Sequence, residues 1–454
     1  MRAPALLVCS SLAFAPLVRA APPPPPPSPT APAPGRFDVK RATLDNGLRV
    51  VVLVDHGSPT VAIDVVYDVG ARDEERGRTG FAHLVERMML QGSKNVPRGE
   101  HARLVTGRGG RLGAATDADQ TSYFELLPSS ELAFGLWLEA DRMKSLDVSP
   151  MSFDIERADA RRELRARVES AAYAAGSIRL RGLVFHGYWP YEHPLTGTSR
   201  DIDAARVDGI RAFHEAYYAP NNAVVAIAGD LDQADAFVLA TRYFGDARRG
   251  ADVPRHAPPP LPAQTAPRSA VVEDAHARLP ALLMGWALPA SHEADHAALA
   301  LAARLLGDGE SSRLRRTLVR ERPLAVEARA WTHNHRGPDM LEIDVELASG
   351  ARVGDVAALV DAQIAELARV GPTDDEMKKL ASRARTRAVV DLQSNIARAR
   401  RLAATELRRG DATLLDAELE TELAVGKDDI RRAVANYLTP ARRCSVEVKP
   451  GERK

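Results

Sequence analysis

"VDGIRAFHEAYYAPNNAVVAIAGD", residues 207–230, reads as a helix, a stop and a strand, and "KDDIRRAVANYLTPARRCSVEVKP", residues 427–450, reads the same way. Asp208, Ile210, Arg211, Tyr217 and Pro220 are matched by Asp428, Ile430, Arg431, Tyr437 and Pro440 at a constant spacing of 220 residues. In each stretch an amphipathic run is capped at its start, a proline that cannot continue a helix ends it, and an apolar run follows. This repetition predicts a duplicated α+β unit, two halves of about 200 residues each.

Working outward, "GLRVVVLVDHGSPTVAIDVVYDVG" (47–70) predicts two Val- and Ile-rich strands joined by a turn. "SSELAFGLWLEADRMKSL" (129–146) and "HAALALAARLLGD" (296–308) carry helical apolar spacing. Strand runs alternate with long helices in both halves, so the expected fold class is α+β: two homologous α/β-sandwich domains, with helices packed on one face of a mostly antiparallel sheet. The proline-rich stretch at 251–268 reads as a linker between a domain at 36–250 and a domain at 269–450.

The first 20 residues combine an early arginine, a short apolar stretch and a small-residue exit, the pattern of an export signal; the alternative is an N-terminal membrane anchor. A Pro-rich tether follows at 21–35. The expected location is exported, periplasmic or secreted in a bacterium, with no stable membrane insertion once the signal is cleaved. Cys9 leaves with the signal and Cys444 stands alone, so no intrachain disulfide is expected. The chain has 61 basic and 61 acidic residues, which gives no global electrostatic reason to expect nucleic acid as a partner.

The stretch "GFAHLVERMMLQGS" (80–93) bears on chemistry. On a helix Phe81, Leu84 and Met88 form an apolar stripe, while His83, Glu86 and Arg87 project together from another face. Zinc hydrolysis needs a few His, Glu, Asp or Cys ligands around an open position, with a carboxylate nearby to take a proton from water. The spacing nearly meets H-x-x-E-H, except that the last position is an arginine. By itself that spacing is a weak signal.

Several further stretches carry a resemblance: "LDNGLRVVV", "TGFAHLVERMMLQGS", "GGRLGAATDADQTSYFE", "LWLEADRM", "YYAPNNAVVAIAGD" and "LLGDGESSRLRRTLVRE". Through these the chain resembles the pitrilysin and insulinase family of zinc metallopeptidases, the inverted zincins that include mitochondrial processing peptidase, over most of its length. The resemblance implies one half of a clamshell that encloses an unfolded peptide, with a zinc-bearing homologous subunit or a second copy as the other half. It also implies that His83 and Glu163 match ligand positions, Glu86 the catalytic base and Glu156 an acidic residue behind the ligands.

The same resemblance implies that Gly113 and Ala114 match positions on the strand beside substrate and Arg313 a substrate-gripping arginine. Three departures follow: Arg87 stands where the second ligand histidine belongs, Gly113 where an asparagine belongs, and Val326 where a tyrosine belongs. A guanidinium has five donors and no lone pair and stays protonated, so it cannot ligate zinc, and it can instead pair with Glu163 or Glu86. The expectation is a subunit without cofactor and without catalysis of its own. The alternative is an active zinc endopeptidase in which His83 and Glu163 hold metal, completed by Glu156 or another donor, and Glu86 activates water.

Other signals point to structure. "GRGGRLG" (107–113) lacks phosphate-loop spacing and reads as a glycine-bearing turn, "HNH" (333–335) has no further ligands near it in sequence, and Cys444 lies in an apolar strand where an inert thiol is expected.

Overall fold

The strand-forming runs assemble into two separate sheets in a computed structural model that describes residues 37–253 and 260–451. The export signal, the Pro-rich tether and residues 254–259 of the linker lie outside the described residues. The first sheet is built from β1 (Val39–Thr43), β2 (Arg49–Val54), β3 (Thr60–Tyr67), β4 (Arg111–Thr116), β5 (Thr121–Pro128) and β6 (Ala223–Gly229). The second uses β7 (Arg268–Asp274), β8 (Ala281–Ala290), β9 (Ala325–Thr332), β10 (Pro338–Leu347) and β11 (Cys444–Pro450).

Their orders are β1-β2-β6-β3-β5-β4 and β7-β11-β8-β10-β9. With β1 set aside as an extra edge, the two match strand for strand. β2 runs parallel to β6 as β7 does to β11, and every other neighbouring pair is antiparallel in both sheets. The duplication read from residues 207–230 and 427–450 is thus a duplication of topology.

Helices do not keep to one face. The run "AVVAIAG" of β6 is buried throughout, and its side chains divide by alternation. Val225 and Ile227 face a core built with α1 (Phe81–Met89), α3 (Leu132–Ser145) and the Val207–Tyr217 and Gln233–Phe244 helices. Val224, Ala226 and Ala228 face the other way, onto Ala399, Leu402, Ala403 and Leu407 of the Asn395–Arg409 helix, which belongs to the second half. The second sheet mirrors this. Its own helices cover Leu282, Met284 and Trp286, while Leu283, Val446 and Val448 pack on Leu180, Leu183 and Val184 of α5 (Ala174–Val184), from the first half.

The expectation of helices on one face therefore needs correction. Both faces are too apolar for water, and each half supplies the helix that the other half's open face requires. From Phe37 onward the chain forms one compact unit.

The "HNH" segment contributes a second bond between the halves. Asn334, with φ at 58°, turns the chain, and His335 stacks on Tyr191 with ring centroids 4.4 Å apart. Arg336 Nη1 donates to both carboxylate oxygens of Asp68 at 2.8 and 2.9 Å, and its backbone N–H donates to Asp119 at 2.8 Å. His333 pairs with Glu342 at 2.6 Å. Cys444 is fully buried, and burial pushes its thiol up, away from the reactive thiolate. No helix among the described residues is long and apolar enough to cross a membrane.

Leu180 lies in the first half but is fully buried against the second sheet. Leu180→Ala is expected to lower stability by about 2–5 kcal/mol while the chain still melts in a single transition, and to raise amide exchange in β8 and β11. Separate melting of two halves, with exchange in the second unchanged, would contradict the mutual covering.

Candidate functional site

The helix that carries His83, Glu86 and Arg87 is placed by a buried carboxylate. Gly80, at φ 89°, turns the chain into α1. Glu74 accepts from the Gly80 N–H at 2.8 Å and the Ala82 N–H at 2.9 Å, satisfying two of the free donors at the helix start. Burial pushes the Glu74 carboxyl up to about 8, against the pull of those two amides. Phe81, Leu84 and Met88 then pack into the core, which leaves His83, Glu86 and Arg87 half-buried on the other face.

Opposite α1 runs α4 (Pro150–Leu164), begun by Pro150 after a Ser149 cap. Glu156, Asp159 and Glu163 are spaced at i, i+3 and i+7 and so share one face. Arg87 faces this row. Its Nη1 donates to Glu163 Oε2 at 2.7 Å, and its Nη2 lies 3.5 Å from Asp159. The same Nη2 is 3.2 Å from Glu156 Oε2, an ionic contact without hydrogen-bond alignment.

Two more guanidiniums join. Arg98 pairs with the other oxygen of Glu156, which is wholly buried. Arg167, on a wide π-type turn after α4, pairs with Glu163 Oε1 at 3.1 Å. His83 Nε2 is 3.7 Å from Glu163 Oε2. Glu86 makes no side-chain hydrogen bond or ion pair among the described residues.

His83, Arg87, Glu156 and Glu163 thus lie together, with Arg87 turned inward on Glu163. No third His, Cys, Asp or Glu donor converges with His83 and Glu163 among the described residues. Sequence reasoning missed Arg98, Arg167 and Asp159. Arg167 and Asp159 were within reach of it, lying four residues from Glu163 on a helix, whereas Arg98 comes from a loop whose path no local pattern reveals.

Gly113 and Ala114 lie on β4, at the edge of the first sheet, and the partly buried Ala114 packs in the same core as α1. A Cβ at Gly113 would meet the Phe124 ring at 2.5 Å, so that ring fills the space an asparagine would take. Arg313 and Val326 belong to the second half. Arg313 is buried and donates to Glu376 through Nε at 2.8 Å and Nη2 at 2.7 Å. Val326 stands exposed on β9.

A different group, His101 on α2 (Glu100–Gly107), Glu125 on β5 and Glu139 on α3, holds its three candidate ligand atoms within 4.8 Å. It already contains a cation. Arg142 pairs with Glu139 and sits 4.4 Å above the Tyr123 ring. Burial raises both carboxyls to about 7 and lowers His101 to about 4, so the imidazole is neutral. Charges balance when the two glutamates share one proton beside Arg142, whereas a divalent ion would leave a buried positive charge.

The profile described as insulinase (peptidase family M16) matches residues 49–176, and the one described as peptidase M16 inactive domain matches residues 205–383. A zinc protease, PqqE, of Helicobacter pylori is 33% identical over 295 residues, which cover 64% of this chain and 66% of that protein. The structure of a protease from Helicobacter pylori superposes with a TM-score of 0.85 at 27% identity, over 91% of this chain and 100% of the other. The periplasmic protease PqqL of Escherichia coli has the same fold at a TM-score of 0.75 and 18% identity. The match covers 91% of this chain and 48% of PqqL, so this chain spans about half its length.

Two measurements test these electrostatics. Arg87→Ala leaves Glu156 to Arg98 and Glu163 to Arg167, and since Arg87 and Glu163 keep 22% and 17% of their side chains exposed, the expected loss is about 1–3 kcal/mol in denaturant unfolding, partly recovered on adding Glu163→Gln. In the second group the folded state holds protons that an unfolded chain releases near the ordinary glutamate range. That contribution is full below about pH 4.5 and is lost as pH rises through about 7. Glu139→Gln removes one such group, so the stability difference between variant and unmodified chain should move in the variant's favour by about 1–2 kcal/mol from pH 5.5 to 8. A difference independent of pH would rule out the shared proton.

Proposed function

This chain belongs to the insulinase (M16) peptidase family, and within it we propose an exported subunit without zinc chemistry of its own, which pairs with a zinc-bearing homologue to enclose extended peptides. The observation that carries the proposal is the 2.7 Å bond from Arg87 Nη1 to Glu163 Oε2. A catalytic zinc takes about three protein ligands and an open position. Here a permanently protonated guanidinium stands against Glu163, and Arg167 takes its other oxygen. Glu156, the donor that would have to complete a weakened site, is held between Arg87 and Arg98. These residues do not fit the metal.

Capture of peptide needs less than catalysis does. β4 ends its sheet, and its outer backbone groups are free to bond an added strand with little demand on the incoming side chains. Half of a longer fold is a reasonable unit for such a partner, as the coverage of PqqL suggests. Export is supported by the character of the first 20 residues and by the periplasmic location in PqqL's description. The other half of the clamshell is a zinc-bearing homologous subunit, or a second copy of this chain.

One feature favours a second reading, an active zinc endopeptidase with an altered site. Glu86 is unpaired and His83 keeps part of its ring open, which suits a base and a ligand.

Zinc content separates the two. The unmodified chain, dialysed and analysed for metal, is expected to carry well under one zinc per chain, and Arg87→His about one. Peptidase activity should be absent from the unmodified chain alone and present when a homologue with an intact H-x-x-E-H is added. Stoichiometric zinc with peptidase activity in the unmodified chain alone would overturn the proposal in favour of the second reading.

A further inference from the structure

We propose that the Gly113–Phe124–Arg400 shelf at the outer edge of the first sheet is a side-chain subsite that selects an aromatic residue in a captured peptide; this rests on the strand-addition reading above. Gly113 and Phe124 are directly opposite in the β4–β5 register and so share a face of the sheet. Phe124 leans across Gly113 until its Cζ lies 2.5 Å from where a Cβ would stand. The ring therefore reaches the edge strand because residue 113 has no side chain. This is the face turned away from α1, so the shelf is built independently of the Arg87 cluster.

Arg400 holds the ring from above. It projects from the Asn395–Arg409 helix with its Cζ 4.6 Å from the Phe124 centroid; burial pushes the Asp64 carboxyl up to about 7, and Ser122 and the Arg400 charge partly oppose that rise. Asp64 in turn accepts from Ser122. The helix covers the inner strands of this face and leaves Phe124 only half-buried. Arg111, exposed, flanks the shelf on the same face, opposite Leu126.

A strand added along β4 would place the residue opposite Gly113 on this face, one strand spacing away, about 4.8 Å. Its side chain would meet no side chain at 113 and would pack on the Phe124 ring. Aromatic pairs favour centroid separations of about 4.5–7 Å, within reach of that geometry. A lysine or arginine there would face Arg400 and Arg111 and be disfavoured.

The test uses the purified full chain and fluorescein-labelled extended peptides of one sequence that carry phenylalanine, alanine or lysine at a single central position, shifted along the peptide to sample register. Anisotropy titration is expected to show the phenylalanine peptide bound about three- to tenfold tighter than the alanine one in its best register. Phe124→Ala and Arg400→Ala should level the series, while Phe124→Tyr should keep it. Thermal melts confirm that each variant is folded. A ring that only shields Gly113 would affect those melts without side-chain selectivity. Equal affinity across the series, or a preference that survives Phe124→Ala, overturns the subsite while leaving peptide capture standing. Absence of binding to every peptide overturns both.

Discussion

Neither sheet can be left with an open face, and the rest of the molecule follows from how that is met. β2, β3 and β6 carry apolar residues on both sides, and a two-sided apolar sheet in water is relieved only by a second layer. Here that layer is exchanged. α5 leaves the first half to cover β8 and β11, and the Asn395–Arg409 helix returns to cover β2, β3 and β6. The exchange reaches the candidate site over a short path, because the chain that carries Glu163 on α4 passes only through the π-type turn of Arg167 and a four-residue turn, 170–173, before entering α5. A shift of α5 on the second sheet would therefore drag on Glu163, and the Arg336–Asp68 bond and the Tyr191–His335 stack resist such a shift from the other side.

Within that frame the Arg87 cluster is a problem of charge with two solutions. Three carboxylates along one face of α4 need positive charge nearby, since burying them unpaired is severely unfavourable. A divalent ion concentrates that charge at one point and demands lone pairs aimed at it. Three guanidiniums spread it over Glu156, Asp159 and Glu163 and supply donors instead. The two arrangements exclude each other at Glu163, where both oxygens are already engaged. The His101 group solves the same problem a third way, with one resident arginine and a proton.

What could be read in advance follows from how local each feature is. The duplication was legible at Asp208, Tyr217 and Pro220 because helix, stop and strand are written in consecutive residues. The facing of Arg87 and Glu163 was legible only as one option, since residues 83 and 87 share a helical face and the family resemblance placed a carboxylate at 163, while Glu86 stayed open as the other partner. The exchanged layer was less so. "AVVAIAG" does announce burial on both sides, but nothing in "AAGSIRLRGLV" says which sheet it will cover, since an amphipathic helix specifies a face and not a partner. Arg98 on Glu156, and Phe124 lying across Gly113, depend on loop path and cross-strand register, neither of which the local sequence encodes.

The Arg87 cluster and the aromatic shelf are consequently separable. His83, Glu86 and Arg87 lie on the α1 face of the first sheet, and Phe124 and Arg400 on the face of the Asn395–Arg409 helix, with the edge of β4 between them. A substitution at 87 changes charge beneath α1 and leaves the backbone edge and the aromatic shelf as they were. Gly113 belongs to the shelf: having no side chain, it admits the Phe124 ring into the space an asparagine would take on the same face of the strand.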